Sequence, residues 1–563
     1  MGPTTRICSA ARLAPRRRET RASSAGGSRQ RTRSTTRLRR GALALVALSL
    51  TPSPASADTG PLAAYLRART SGDAEAAARD YGRALAGSPG DPLVAIRAYR
   101  GALLAGDLPL ASRAAAVLDR AGVPTDDQPL LPLARAAAAK DLRAFDAALT
   151  RLRAGKLSVV AAPLAGWAAW ARGGDWEAAL APERTDAAAR PLLAEARALL
   201  LVASGRIADG VAALRALGGW EDAGPARAFG AELLIRAGER DAALSILPPE
   251  GRARLAGLSR EAAPSTSLGF GTSRLLTRVA TQFVLGDSAP LAVALARAAL
   301  VADPRNDVAR LLLAAALKEV REYDAALAAL GEVPPAGALR RDADTARVQI
   351  LTAAGRRAQA LAEARRLATA AAAERNDLQV YADLLADTGN PAAAVPFYRR
   401  IVAGGGRTEY AAWMQLGEAL ERSGDWPAAR EALERAVELA PEEPLALNYL
   451  GYARITRGEA KRESTVLLER AHKLAPDDAS IADSLGWAYH LSGDTRRALP
   501  LLERAAREEA GSAEIAEHLG DAYWTLGRRF EARYAWRAAQ VAGAEADRAR
   551  LERKVERGLA VSN

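Results

Sequence analysis

Few residues in this chain have the types and spacing that catalysis or metal binding requires. The three histidines are His472, His490 and His518, and their intervals do not match the spacing of metal ligands. The sequence contains no GxxxxGK[ST] phosphate loop, no GxSxG nucleophile elbow and no HExxH helix. Acid pairs such as Glu442-Glu443 are typical of solvated helix faces. We therefore predict a protein that is not an enzyme and that binds no metal or cofactor.

The segment from residue 407 to residue 441 has the pattern of one helix–turn–helix unit. Small residues occur where two antiparallel helices would approach each other, and apolar residues recur at helical spacing to fill the seam. The residues that match a W-x2-L-G-x2-Y pattern, followed by A-x3-F and a closing proline, are Trp413, Leu416, Gly417, Leu420, Ala429, Leu433 and Pro441. This pattern resembles the tetratricopeptide repeat, a pair of helices with a period of about 34 residues.

The turn inside this unit recurs along the chain at a nearly constant interval. In the second half its positions, which lie 34 or 35 residues apart, are Gly286, Arg321, Gly355, Gly389, Gly424, Gly458, Gly493 and Gly527. In the first half the positions, which lie 31 to 34 residues apart, are Gly72, Gly106, Lys140, Gly174, Gly205 and Gly238. We therefore predict an all-α solenoid of about fourteen repeats. The resemblance implies a right-handed superhelix.

Breaks in this interval suggest how the chain is organised. We predict a signal peptide over residues 1–57, degenerate repeats over 58–250, a linker or irregular repeat over 251–272, a well-formed array over 273–545, and a capping helix or tail over 546–563. The turns Gly238 and Gly286 are 48 residues apart, about 14 more than one repeat. A seam between two superhelical segments and a single repeat with a long loop both fit this excess.

The basic leader has the composition of an export signal. Arg39 and Arg40 precede an apolar run over residues 41–50, and Ala55-Ser56-Ala57 follows. This order predicts a secretory signal peptide that is cut after Ala57. The sequence is compatible with both the Sec and the twin-arginine export routes. The one cysteine, Cys8, lies in the leader, so the mature chain would have no thiol. These features predict a bacterial periplasmic protein.

The positive charge of the whole chain comes almost entirely from the leader. The formal net charge is +12, and residues 1–57 contribute +11 of it through twelve arginines and one glutamate. The rest of the chain is therefore close to neutral, which does not favour nucleic-acid binding. No later segment is long and apolar enough to predict a transmembrane helix.

The inner face of the stacked first helices is the surface that the sequence favours for binding. In this repeat type the second, fifth, ninth and twelfth residues of a unit line that face, and we count from unit starts at 410, 444, 479 and 513. Aromatic and hydrogen-bonding residues at these positions suit capture of a protein or peptide. The predicted groove residues are Met414, Glu418, Glu421, Asn448, Tyr452, Asp483, Trp487, His490, Glu517, Asp521 and Trp524.

The last four repeats, over residues 410–545, also resemble the C-terminal repeats of exported proteobacterial tetratricopeptide proteins. The segments that carry this resemblance are DSLGWAYHLSGDTRRALPLLERA (483–505) and HLGDAYWTLGRRFEARYAWRAAQ (518–540). Some members are lipoprotein adaptors that recruit a carboxyl-terminal processing protease and present cell-wall hydrolases to it. The chain departs from those adaptors because it has no lipobox cysteine, and its groove lacks the bases of a carboxylate clamp.

We therefore expect a periplasmic protein-binding scaffold or adaptor, whose partner is a processing protease or a cell-wall enzyme. An envelope-assembly subunit that docks polysaccharide, pilus or secretion machinery is the first alternative. An enzyme with an attached repeat domain is the second, and it would need a longer break in the repeat interval than the chain has. The sequence does not predict the oligomeric state.

Overall fold

The computed structural model describes residues 60–180, 189–218, 220–255 and 257–559. Apart from Gly60, all of these belong to one unit, Pro61–Asn563. The predicted signal peptide, Cys8 and the cleavage site after Ala57 lie outside the described residues. Within the described ranges, no helix is both long enough and apolar enough to span a bilayer.

The described residues form α-helices joined by short turns, and no β-strand occurs among them. The helices before residue 260 are α1 (Pro61–Thr70), α2 (Ala74–Gly87), α3 (Pro92–Ala105), α4 (Leu108–Arg120), α5 (Leu130–Ala139), α6 (Leu142–Arg153), α7 (Ala161–Ala171), α8 (Trp176–Ala179), α9 (Arg190–Ala203), α10 (Ile207–Ala216), α11 (Trp220–Ala237), α12 (Arg240–Ser245) and α13 (Pro249–Leu255). The helices after it are α14 (Leu268–Ala280), α15 (Ala289–Ala302), α16 (Asp307–Glu319), α17 (Tyr323–Gly331), α18 (Arg340–Ala353), α19 (Arg357–Ala368), α20 (Arg375–Asp387), α21 (Pro391–Ala403), α22 (Tyr410–Arg422), α23 (Trp426–Leu439), α24 (Pro444–Thr456), α25 (Lys461–Leu474), α26 (Ala479–Leu491), α27 (Thr495–Glu508), α28 (Ala513–Thr525), α29 (Arg529–Ala542) and α30 (Glu545–Arg557).

Consecutive helices pack against each other as hairpins. Within the described ranges there are fourteen such pairs, from α1–α2 to α12 with α11 and then from α14–α15 to α28–α29. In the hairpin α22–α23, a Cβ atom at Gly417 would lie 2.7 Å from the side chain of Leu433, so a small residue is needed at the crossing. The prediction of an all-α solenoid of about fourteen helical hairpins is confirmed.

The turn residues of these hairpins adopt left-handed backbone conformations. Twelve of the fourteen predicted turn positions have positive φ, including the non-glycine residues Lys140 (φ 60°) and Arg321 (φ 65°). Gly72 is not among them, and Gly173 rather than Gly174 takes this conformation at the fourth turn. The left-handed residue reverses the chain between two helices because it ends the first helix within one residue. This conformation explains why glycine recurs at the interval seen in the sequence.

The first helices of the N-terminal hairpins pack against α14 and α15. Contacts to these two helices come from α3, α5, α7, α9 and α11, which are the first helices of five successive hairpins. We count each unit from the residue fourteen before its turn, as for the unit that starts at 410 and turns at Gly424. On this count Glu195 and Glu232, which both contact α14, are the fifth and ninth residues of their units. The inner face of the N-terminal array is therefore covered by the chain's own α14–α15 hairpin.

A buried arginine anchors α14 in this position. The guanidinium of Arg274 lies 3.2 Å from the carboxylate of Glu232 on α11 and 3.0 Å from that of Asp303 after α15. It also lies over the rings of Phe229 and Phe270, at 5.1 and 4.5 Å. Burial raises the pKa of Glu232, although the charge of Arg274 opposes that shift. Since a buried charge is costly without its partner, this contact favours a single arrangement of the three helices.

Two more arginines connect the central hairpin to distant repeats. Arg278 Nε lies 3.0 Å from the carboxylate of Glu195 on α9. Arg297 on α15 donates hydrogen bonds of 2.9 and 2.8 Å to the carbonyl oxygens of Leu103 and Leu104 at the end of α3. Burial lowers the pKa of Arg297 to about 10. These carbonyls belong to the last turn of α3, where helix hydrogen bonding leaves acceptors for such a donor.

Residues 268–272, which the sequence assigns to a linker or irregular repeat, form the first turn of α14. All five are buried. Gly269 and Gly271 have the appearance of loop residues in the sequence, but both lie at close helix contacts. A Cβ atom would be 2.5 Å from the carbonyl oxygen of Ala302 at Gly269, and 2.0 Å from the ring of Trp167 at Gly271.

Replacing the two non-glycine turn residues with glycine should stabilise the protein. In Lys140→Gly and Arg321→Gly the left-handed backbone no longer carries a Cβ atom, and we expect a gain of about 0.5–1 kcal/mol at each position. Denaturant unfolding of the full chain measures this change. Gly424→Ala is the matched control and should have the opposite sign, because it adds a Cβ at φ 89°. Equal or lower stability of the glycine variants would contradict the interpretation.

Gly271→Leu should destabilise the N-terminal repeats by about 3 kcal/mol, because the new side chain would overlap the ring of Trp167. Thermal unfolding followed by circular dichroism checks this expectation. Gly511→Ala is the control, since no atom lies within 4 Å of a Cβ at that position. Similar melting of the two variants would show that α14 can move away from α7.

Candidate partner-binding surface

The first helices of the later hairpins carry a row of polar side chains on their inner face. We define the inner stripe as the second, fifth, ninth and twelfth residues of the units that start at 341, 375, 410, 444, 479 and 513. The last four of these units contain every groove residue predicted from the sequence. Side-chain contacts between neighbouring first helices show which parts of the inner stripe are filled by the protein itself.

Towards the C-terminus, side chains from three first helices fill the inner stripe. The hydroxyl of Tyr452 on α24 donates to the carboxylate of Glu514 on α28, across the intervening helix α26. His518 Nδ1 lies 2.8 Å from Asp483 Oδ2. The Trp487 ring stacks on the ring of His518, with centroids 4.0 Å apart and an interplanar angle of 12°. These side chains therefore contact one another where a partner segment would otherwise lie.

His490 is a further member of this aromatic cluster and also stacks on Trp487. Their ring centroids are 5.0 Å apart, and His490 Nδ1 lies 3.1 Å from the Thr495 hydroxyl. Burial lowers the pKa of His490. The two imidazoles that stack on Trp487 thus differ in environment, since only His518 contacts a carboxylate.

The C-terminal helix α30 covers the next part of the inner stripe. Lys554 lies 2.6 Å from the carboxylate of Glu517 and 2.7 Å from that of Asp521, and Arg550 also pairs with Glu517. The backbone of Gly558 packs on Trp524, since a Cβ atom there would lie 1.8 Å from the ring. These contacts come from the segment 546–563, for which the sequence predicts a capping helix or tail. Trp524 lies beneath this cap.

Burial and charge act in opposite directions on the titratable groups of this cluster. Burial alone would lower the pKa of His518, but the charge of Asp483 and the hydrogen bond to it raise the pKa above the ordinary value. Burial raises the pKa of Glu514, although His518 and Tyr452 oppose that shift. For Glu517 the burial effect is outweighed by Lys554 and Arg550, which lower its pKa.

The remaining predicted groove residues lie on α22 and α24. Met414, Glu418 and Asn448 are half-buried. Arg422 approaches Glu418 to 3.4 Å, whereas burial raises the pKa of the glutamate. Asn448 Oδ1 is buried and has no hydrogen-bond partner among the described residues. Glu421, the twelfth residue of its unit, accepts a hydrogen bond from Tyr449. The structure thus brings the predicted residues onto one face, while their role in partner binding stays a prediction.

The inner stripe is open between α18 and α20. A cavity of about 290 Å³ lies there, lined by polar side chains of both helices. Gln349 and Asn376 are exposed at its wall, and Arg341, which pairs with the buried Asp377, lines it as well. Counting the same repeat positions back to the units that start at 341 and 375 would have found Gln349 and Asn376 in the sequence.

A hydrogen-bonded group continues this open region towards α22. Gln379 Nε2 donates to Asp383 Oδ1 at 2.8 Å and to Gln415 Oε1 at 3.0 Å, which joins α20 to α22. The hydroxyl of Tyr398 on α21 donates to the same carboxylate at 2.6 Å. Burial nevertheless raises the pKa of Asp383. A cation brought by a partner would stabilise the charged form of this carboxylate.

The inner face therefore has three parts. In the N-terminal hairpins it is covered by α14 and α15, and from α24 to α30 it is filled by the cluster around Trp487 and by the C-terminal helix. Between them, α18 and α20 present amide and carboxyl groups to a cavity, and the hydrogen bond between Gln379 and Gln415 joins α20 to α22. This arrangement defines a helical-hairpin solenoid whose inner face is polar and open between α18 and α20.

Comparison with known proteins supports a tetratricopeptide repeat in one part of the chain. The tetratricopeptide repeat family profile matches residues 410–455, which overlap the helix–turn–helix unit of residues 407–441. No curated protein matches the chain. Repeats of this family suggest a protein-interaction scaffold.

Solved structures of tetratricopeptide proteins match segments of the chain. A tetratricopeptide repeat protein from Parabacteroides merdae is 16% identical, and the match covers 42% of this chain and 91% of that one, with a TM-score of 0.35. TTC0263, a thermophilic protein of Thermus thermophilus, is 20% identical over 32% and 97% of the two chains, with a TM-score of 0.29. YrrB, which has an unusual peptide-binding site, is 18% identical over 32% and 92%, with a TM-score of 0.26.

His518→Gln should destabilise the C-terminal repeats more at about pH 6 than at about pH 8. Breaking a buried charged pair costs about 3 kcal/mol. Because the folded pKa of His518 is raised, its contribution is complete below the unfolded pKa of about 6.5 and is lost as the pH rises through the folded pKa. Thermal unfolding of both proteins, followed by tryptophan fluorescence, gives the difference at each pH. A difference that does not change with pH would show that the pair is not ionic.

Proposed function

We propose that this chain is an exported, non-enzymatic scaffold that holds a segment of a partner protein on the inner stripe of α18, α20 and α22. The observation that carries the proposal is the cavity of about 290 Å³ between α18 and α20. It occurs where the inner face is covered neither by α14–α15 nor by α30. The same face binds the chain's own helices elsewhere, which supports its use as a protein-binding surface.

The chemistry of this region favours an extended segment that carries lysine or arginine. Amide side chains such as Gln349 and Asn376 can both donate to and accept from a peptide backbone. Glu374 and Asp342 line the same cavity. Burial disfavours the charged forms of Asp383 and Glu418, as their raised pKa values indicate. A basic side chain placed beside them would reduce that cost.

The export part of the proposal rests on the leader, and the adaptor part rests on the resemblance of the last repeats to exported proteobacterial adaptors. Fractionation of cells that make the full chain tests export directly. The mature protein should appear in the periplasmic fraction with an N-terminus at Asp58. A cytoplasmic location with an intact leader would overturn this part while leaving the binding surface unaffected.

Gln349→Lys should weaken partner capture roughly tenfold, because the new charge would repel a basic segment at the cavity wall. Crosslinking and pull-down from the periplasmic fraction measure capture. Gln359→Lys adds the same charge at an exposed position on α19, the second helix of the same hairpin, and should have no effect. Equal capture by both variants would overturn the proposed surface.

The identity of the recovered partner separates the candidate roles. A processing protease or a cell-wall hydrolase that is recovered with the intact chain and lost with Gln349→Lys would support the adaptor role. Subunits of one membrane-embedded assembly machine would support a docking role instead. Both outcomes keep the protein-binding function, since each depends on the same surface.

A further inference from the structure

The last helical hairpin exposes an apolar stripe along α29. Phe530, Tyr534 and Val541 are 81%, 72% and 89% exposed. Their spacing of four and seven residues places them on one side of the helix, and Ala538 and Ala542, which are also exposed, lie on the same side. The stripe therefore extends from the first turn of α29 to its last.

The equivalent faces of the three preceding second helices are different. Phe530, Tyr534 and Val541 are the second, sixth and thirteenth residues of α29. Of the nine residues at these positions in α23, α25 and α27, six are charged and exposed: Glu431, Glu438, Arg462, Lys473, Arg496 and Arg507. The preceding repeats therefore fold with mostly charged, solvent-exposed residues at these positions. The apolar stripe on α29 is not needed for packing between hairpins.

A row of arginines runs beside this stripe. Arg529, Arg533 and Arg537 are spaced four residues apart on α29, and Arg537 is exposed. The acidic residue of this helix, Glu531, lies 3.1 Å from Arg528 and is thereby neutralised. The border of the stripe is consequently positive. Two copies of α29 facing each other would bring their arginine rows together, which disfavours a second copy of this chain as the occupant.

We propose that α29 docks an amphipathic helix of a partner protein whose apolar side is bordered by aspartate or glutamate. The stripe spans eleven residue steps from Phe530 to Val541, or about 16 Å at the helical rise, which matches three turns of a packed helix. The apolar side chains would supply the area that is buried on binding, and the arginines would favour a partner helix with negative charge. This surface is separate from the inner stripe, so the two can be tested independently.

A photocrosslinking amino acid in place of Ala538, in the full chain and in the cells that make it, tests the proposal. Ala538 is exposed within the stripe, so Phe530 and Tyr534 stay intact. We expect crosslinks to one protein segment that mass spectrometry identifies as an amphipathic helix with net negative charge. Phe530→Glu or Arg537→Glu should reduce the crosslink roughly tenfold.

Val466→Glu is the matched control, because Val466 is the exposed sixth residue of α25 and corresponds to Tyr534. It should leave the crosslink unchanged. Unchanged circular dichroism of each variant shows that folding is retained. Crosslinks to lipid, to a second copy of this chain or to a neutral or basic segment would overturn the proposal. Absence of any crosslink would overturn it as well.

Discussion

Every helical hairpin in this protein has an inner side that must be either covered or polar enough to face water. An isolated pair of helices cannot bury both of its faces, so its stability depends on what lies against them. Stacking covers the sides that face neighbouring hairpins but leaves the inner side of the first helices. The chain meets this requirement in three different ways along its length, and those differences determine which part of the inner side stays open.

In the N-terminal half the covering element is the chain's own hairpin, α14–α15. Its position is specified by buried arginines as well as by apolar packing. Arg274, for example, would be left as an unpaired charge if α14 moved away from Glu232 and Asp303. Apolar contacts tolerate small shifts, whereas a buried ion pair restricts geometry. The degenerate, alanine-rich repeats of this half therefore pack on α14–α15 through a continuous apolar core, and the arginines restrict the position of that hairpin.

Towards the C-terminus the inner side is filled by side chains of the types that often bind ligands, namely aromatic and charged residues. Trp487 stacks on His518, and Asp521 accepts hydrogen bonds from Trp536 and Lys554. Amphipathic aromatics and charged residues suit partner capture and helix packing equally well, since both need area and hydrogen bonds. The middle repeats lack such aromatics on the inner stripe, which leaves room for the cavity beside Gln349.

The sequence by itself determined the fold of the repeat, because each hairpin is encoded locally. The left-handed turn, the small residue at the helix crossing and the apolar seam all fall within about 34 residues. The interval alone predicts turns at Lys140 and Arg321, and both residues have positive φ. Only the tertiary structure decided which inner surface is open. The contacts of Gly271 with Trp167 and of Lys554 with Asp521 join separate repeats. The sequence of a single repeat does not predict these contacts. A polar residue at an inner-stripe position gives the same sequence pattern whether its side chain faces water or another helix.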